Sequence, residues 1–155
     1  MKLGNDRTLA GFTLLELLLV IAILGIVFGI FSWFLLRNLR QTELREAAAQ
    51  LIADLRRSRS SAQLSGQVSR LELSPLKTSY SVRVGSGAPK TVDLPHRVTV
   101  EAEVGGLQVV NQPPFGTLDD TGLVWKVQSP SYSDMHLYVK VVGITGRVML
   151  SGSAD

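Results

Sequence analysis

The chain has 155 residues, 45% of them hydrophobic, with 16 Lys and Arg against 13 Asp and Glu and no cysteine. That length holds one domain of roughly 100–150 residues plus an appendage. The missing cysteine excludes a disulfide scaffold, a thiolate metal centre, a CxxC redox pair and a cysteine nucleophile. A net charge of +3 does not by itself imply a nucleic-acid partner. The charge is uneven, however: residues 37–70 hold seven Arg against Glu43, Glu46 and Asp54, whereas residues 71–155 hold seven Lys and Arg against eight Asp and Glu.

In chain order, a short polar leader, Met1 to Ala10, carries Lys2 and Arg7 and is followed by Gly11-Phe12-Thr13-Leu14-Leu15-Glu16. From Leu17 to Leu36 no residue is charged, and Ser32 is the only hydroxyl. Twenty residues at about 1.5 Å each give roughly 30 Å of helix, the thickness of a bilayer's hydrocarbon core. A chain this small could not bury such a helix on all sides, and a cleaved secretory signal would have a shorter apolar region, about 7–15 residues, with a small-residue site close behind it. A membrane anchor is therefore expected. Its orientation is not set by charge, since Lys2 and Arg7 precede it while Arg37, Arg40 and Arg45 follow. Gly25 and Gly29 form a GxxxG, a pattern that lets helices approach closely, although glycine is common in membrane helices anyway.

A carboxylate inside an apolar helix is expensive and marks function by default. Glu16 is that carboxylate. The run Gly11-Phe12-Thr13-Leu14-Leu15-Glu16 ahead of a long apolar helix resembles the type IV pilin superfamily, which includes pilins and type II secretion pseudopilins. The resemblance implies that a prepilin peptidase cuts between Gly11 and Phe12 and N-methylates Phe12, and that the helix is kept. Cleavage there would create an α-amino group with an ordinary pKa of about 7.7–8, four residues before Glu16 on one helical face. Either charge alone in a low-dielectric bundle costs several kcal/mol, so each seeks the other. The resemblance further implies that Glu16 meets the Phe12 amine of an adjacent subunit and sets register during assembly.

Helical spacing continues beyond the membrane segment. Leu44, Ala48, Leu51, Leu55, Ser58 and Ala62 form one stripe, no Pro or Gly occurs from Ser32 to Ser65, and Gly66 reads as the stop. One helix from about Phe12 to Ser65 is expected, roughly 80 Å long. Its second half would lay the stripe on a head domain, with Arg56, Arg57 and Arg59 spread over solvated faces. The domain reading is therefore leader 1–11, helix 12–65 with its transmembrane segment at 17–36, and a β-rich head at 66–155.

From Val68 onwards the period changes to two. Strands are expected over Val68–Leu73, Ser79–Val84, His96–Val104, Leu107–Val110, Leu123–Val127, Met135–Val142 and Arg147–Leu150, separated by Gly- and Pro-rich turns. These make an antiparallel sheet or two small sheets with the helix as one wall, an α+β architecture. Leu51-Ile52-Ala53-Asp54-Leu55-Arg56 running into Arg59-Ser60-Ser61-Ala62, Tyr80-Ser81-Val82-Arg83-Val84, Phe115-Gly116 and Thr145-Gly146-Arg147-Val148 resemble the GspH/FimT minor-pilin group. That resemblance implies the pilin fold. The absence of a cysteine-closed C-terminal loop, frequent in major pilins, also favours a minor subunit.

Other chemistry is poorly supported. Asp120-Thr121-Gly122 copies the aspartic-protease triplet, but that mechanism needs two triplets and one is present; a turn is expected. Asp119 and Asp120 lack the further oxygen ligands of a calcium site. His96 and His136 have no second ligand at metal spacing. No enzyme activity, metal or cofactor is expected. DNA uptake involves some FimT-like pilins, whose C-terminal element resembles Gly-Arg-any-Arg; here Gly146-Arg147-Val148-Met149 lacks the second arginine. Arg147, with Arg83, Arg97, Lys126 and Lys140, is the candidate for nucleic-acid contact.

The sequence thus reads as a minor type IV pilin supporting pilus biogenesis, and through it twitching motility or DNA uptake. The alternatives are a minor pseudopilin of a type II secretion system and a DNA-binding pilin for natural transformation. Expected partners are other pilins or pseudopilins through the N-terminal helix, the prepilin peptidase, the inner-membrane assembly platform and the membrane. The chain would sit in the inner membrane as a single-pass protein and then in a pilus or periplasmic pseudopilus, its head periplasmic or extracellular.

Overall fold

A computed structural model describes residues 12–119, 122–143 and 145–154. One long helix, α1 (Leu14–Ser65), precedes nine strands: β1 (Ser69–Leu73), β2 (Ser79–Val84), β3 (Lys90–Asp93), β4 (Thr99–Val104), β5 (Gln108–Gln112), β6 (Thr117–Leu118), β7 (Gly122–Gln128), β8 (His136–Val142) and β9 (Arg147–Ser151). The contacts divide the chain into two compact units, Met1–Asn38 and Leu39–Asp155.

In the first unit, every described residue of α1 is solvent-exposed, from Leu14 to Asn38. The exposed side chains include Ile26 (66%), Phe28 (65%) and Trp33 (62%). The helix is long and apolar enough to cross a membrane.

In the second unit, the rest of α1 packs on two antiparallel sheets, ordered β3-β2-β1-β5-β6 and β4-β7-β8-β9. The buried helical residues are Leu44, Ala47, Ala48, Leu51, Ile52, Leu55, Ser58 and Ala62, the stripe that helical periodicity selects plus Ala47 and Ile52 beside it. Alanine at three of these positions lets the helix axis come close to the sheets. Strand alternation does the same from the other side. Leu71, Leu73, Tyr80 and Val109 point inward from the first sheet, and Val100, Leu123, Trp125, Val127, Val139, Val141 and Val148 from the second. Trp125 is fully buried and places its indole N–H on the Gly106 carbonyl at 3.0 Å, as a buried tryptophan requires.

A polar knot pins the helix to the first sheet. The Ser58 and Ser69 hydroxyls lie 2.8 Å apart, and the Asn111 amide donates to Ser58 Oγ at 3.2 Å. All three residues are buried. Tyr80, fully buried, donates its hydroxyl to Asp54 Oδ2 at 2.5 Å. Burial first, and that hydrogen bond second, hold the phenol well above its ordinary pKa.

Three features differ from the sequence reading. The strand expected over His96–Val104 begins at Thr99, because Pro95–Arg97 form a 3-10 turn in which His96 and Arg97 take positive φ of 59° and 55°. Strand β3 was missed: it is an exposed edge strand whose Lys-Thr-Val-Asp sequence carries one inward apolar residue. Strand β6 has only two residues, too few for any alternation to register.

Candidate functional site: the helix amino terminus

The first turn of α1 is built around Thr13. Its side-chain Oγ1 accepts the Glu16 backbone N–H at 3.2 Å, and its carbonyl accepts the Leu17 N–H at 3.2 Å. Thr13 is therefore the N-cap, and Thr-Leu-Leu-Glu has the spacing of a capping box. The Glu16 carboxylate makes no hydrogen bond or ion pair among the described residues and is exposed. Its place in the first turn suits the positive end of the helix dipole, a gain of about 0.3–1 kcal/mol. Several kcal/mol are at stake once the surrounding apolar helix is packed away from water. Capping alone therefore does not account for a carboxylate here.

Phe12 precedes the N-cap and is 79% exposed. It lies outside the helix, so the one-face, four-residue relation to Glu16 expected from sequence does not hold within this chain. Both residues still stand at the same helix end. Gly11 and the leader lie outside the described residues, as do Asp120 and Thr121 of the protease-like triplet. Gly122 opens β7, and Asp119 accepts the Gln112 amide at 2.8 Å.

Among the residues considered for nucleic-acid contact, Arg83 lies on β2 of the first sheet, whereas Lys126, Lys140 and Arg147 belong to the second. Lys126, Lys140 and Arg147 lie on the adjacent strands β7, β8 and β9 and on the same face of that sheet. Arg147 also lines a cleft with Arg56 and Arg59 of α1, residues separated from it by about ninety positions, which no local pattern connects. His96 reaches Glu46 Oε2 with Nε2 at 3.0 Å and faces Glu43 Oε1 with Nδ1 at 3.9 Å. The two carboxylates meet opposite ring nitrogens, which makes a clasp between helix and turn. No group of three or more metal-ligating side chains gathers among the described residues.

Residues 7–32 match the prokaryotic N-terminal methylation motif. The fold matches two crystal structures of the type IV minor pilin FimU from Pseudomonas aeruginosa strain PAO1. The crystal in space group P65 aligns with a TM-score of 0.58 at 21% identity, covering 72% of this chain and 94% of FimU. The crystal in space group P21 gives 0.60 at 21% identity, covering 74% and 92%. The chain is type IV pilin-like. It joins a prokaryotic N-terminal methylation motif to the pilin fold, a long apolar helix on antiparallel sheets. No characterised protein matches the pilin-like sequence significantly. The apolar helix and the prepilin motif together fit a membrane-anchored pilin.

Proposed function

We propose that this chain is a minor type IV pilin. In this reading it is cut between Gly11 and Phe12, methylated on Phe12, held in the inner membrane by α1, and then packed into a pilus through that helix. The observation that carries the reading is the Glu16 carboxylate, without a partner among the described residues, in the first turn of a helix with no buried residue from Leu14 to Leu39. Such a surface is stable in lipid or in a bundle of like helices. In a bundle, an uncompensated carboxylate requires a cation, and the freed Phe12 amine of a neighbouring subunit is one. Pairing between chains is favoured over pairing within one, because Phe12 lies outside the helix. The partners are then the prepilin peptidase, other pilins and the assembly platform; the role is structural rather than enzymatic.

Deletion of the gene, with surface filaments counted by electron microscopy and protein secretion assayed in parallel, tests this. The proposal expects lost filaments with normal secretion, restored by the wild-type gene. Intact filaments with lost secretion would contradict it and make the chain a pseudopilin of a type II secretion system, which shares the fold and the processing.

A further inference from the structure

We propose that the cleft between α1 and β9 docks a carboxylate-bearing, extended segment of a partner polypeptide, gripped by Arg56, Arg59 and Arg147. The cleft has a volume of about 490 Å³ and is lined by those arginines together with Ser60, Gln63 and β9. No acidic side chain lines it, and none of the three arginines pairs with a carboxylate among the described residues.

Arg59 is held rather than free. Its stem passes between Gly116 and Gly146, both buried and both at positive φ (64° and 62°). A Cβ on Gly116 would lie 2.6 Å from Arg59 Cγ, and one on Gly146 would lie 3.6 Å from Cδ. Two residues without side chains thus make the slot that fixes this arginine. Its Nε is buried and has no hydrogen-bond partner among the described residues. Arg56 is only loosely engaged, with Nη2 3.5 Å from the Val148 carbonyl. Among the described residues, three guanidinium groups therefore surround one concavity without an anion that would neutralise them, and a carboxylate suits a guanidinium fork.

The neighbouring strand selects a polypeptide over a nucleic acid. Strand β9 is an edge of its sheet, paired with β8 on one side only, and the cleft runs along its other side. An extended chain there meets main-chain donors and acceptors, and the exposed Met149 and Leu150 offer apolar contact. A phosphate backbone needs a continuous row of available cations. Several other cations of the head have acidic company: Lys77 with Glu101 at 2.8 Å, Arg57 with Asp54 at 3.2 Å, Lys126 opposite Glu101 across β4 and β7, and Arg70 and Arg83 in a cleft shared with Glu72 and Asp119.

The test uses the full chain in detergent micelles at low salt and fluorescence anisotropy with three labelled probes. These are an octapeptide alternating Glu and Val, its Gln–Val counterpart, and a short DNA duplex. The Glu peptide is expected to bind about tenfold or more tightly than the Gln peptide. Arg147→Glu, at an exposed position, should remove that advantage without changing the thermal melt; Arg59→Gln should do the same if it folds. Equal binding of the two peptides, Glu-peptide binding indifferent to Arg147→Glu, or tighter binding of DNA than of the Glu peptide would each overturn the proposal. None of these results depends on the pilus reading, which filament counts test separately.

Discussion

Glu16 and Tyr80 are two polar groups set among apolar ones, and the chain treats them oppositely. Tyr80 is satisfied inside the head by Asp54, with the Gln50 amide 3.4 Å from its oxygen. Because burial and Asp54 hold the folded phenol above its ordinary pKa, the unfolded chain releases the proton first, near pH 10. The stabilisation is thus fully present below about pH 10 and is lost as pH rises toward the folded value. Tyr80→Phe is expected to cost about 1–3 kcal/mol at pH 8, by leaving Asp54 Oδ2 without its phenol donor, yet to show a flatter loss of stability between pH 10 and 11.5. Urea melts followed by circular dichroism at both ends of that range would show it; parallel profiles for the two proteins would refute it. Glu16 has no partner among the described residues. Glu16→Ala is expected to leave cleavage and methylation intact but to cut incorporation into sheared filaments by tenfold or more, on the scale of an uncompensated buried charge. Quantitative immunoblotting of cell and filament fractions measures it, and normal incorporation would contradict the assembly role.

The helix and the strands show what periodicity can and cannot reveal. Leu51 sits at the centre of the buried stripe and is fully covered, so Leu51→Ala is expected to cost about 2–5 kcal/mol in the same urea melts. A change under 1 kcal/mol would mean the helix does not pack on the sheets as described. This stripe was legible in sequence because six residues at three- and four-residue spacing face one way. Most strands were legible because alternation survives where one face is buried. Strand β3 was not, since an edge strand in water needs no alternation, and the turn at His96 was not, since positive φ at two successive non-glycine residues leaves no sequence pattern. The N-terminal motif, matched over residues 7–32, was legible because its residues are local neighbours; the roles of Gly11, Phe12 and Glu16 belong to the proposal. The arginine cleft was not: Arg56, Arg59 and Arg147 meet only after β9 has closed the second sheet, and from the helix alone the first two read as solvated.

At the scale of the whole molecule, the division into two units separates two jobs. Among the described residues the buried core lies between Leu44 and Val148, within the second unit. From Phe12 to Leu36 the first unit offers exposed apolar surface with one carboxylate, Glu16, which in the proposed reading is covered by lipid or by other helices. Everything then depends on the apolar helix being kept with a new amino terminus. The direct measurement is the intact mass of the protein purified from cells with an active prepilin peptidase. A mass equal to a chain starting at Phe12 and carrying one methyl group is the predicted result. A mass starting at Met1, or one that lacks the apolar helix altogether, would contradict the account.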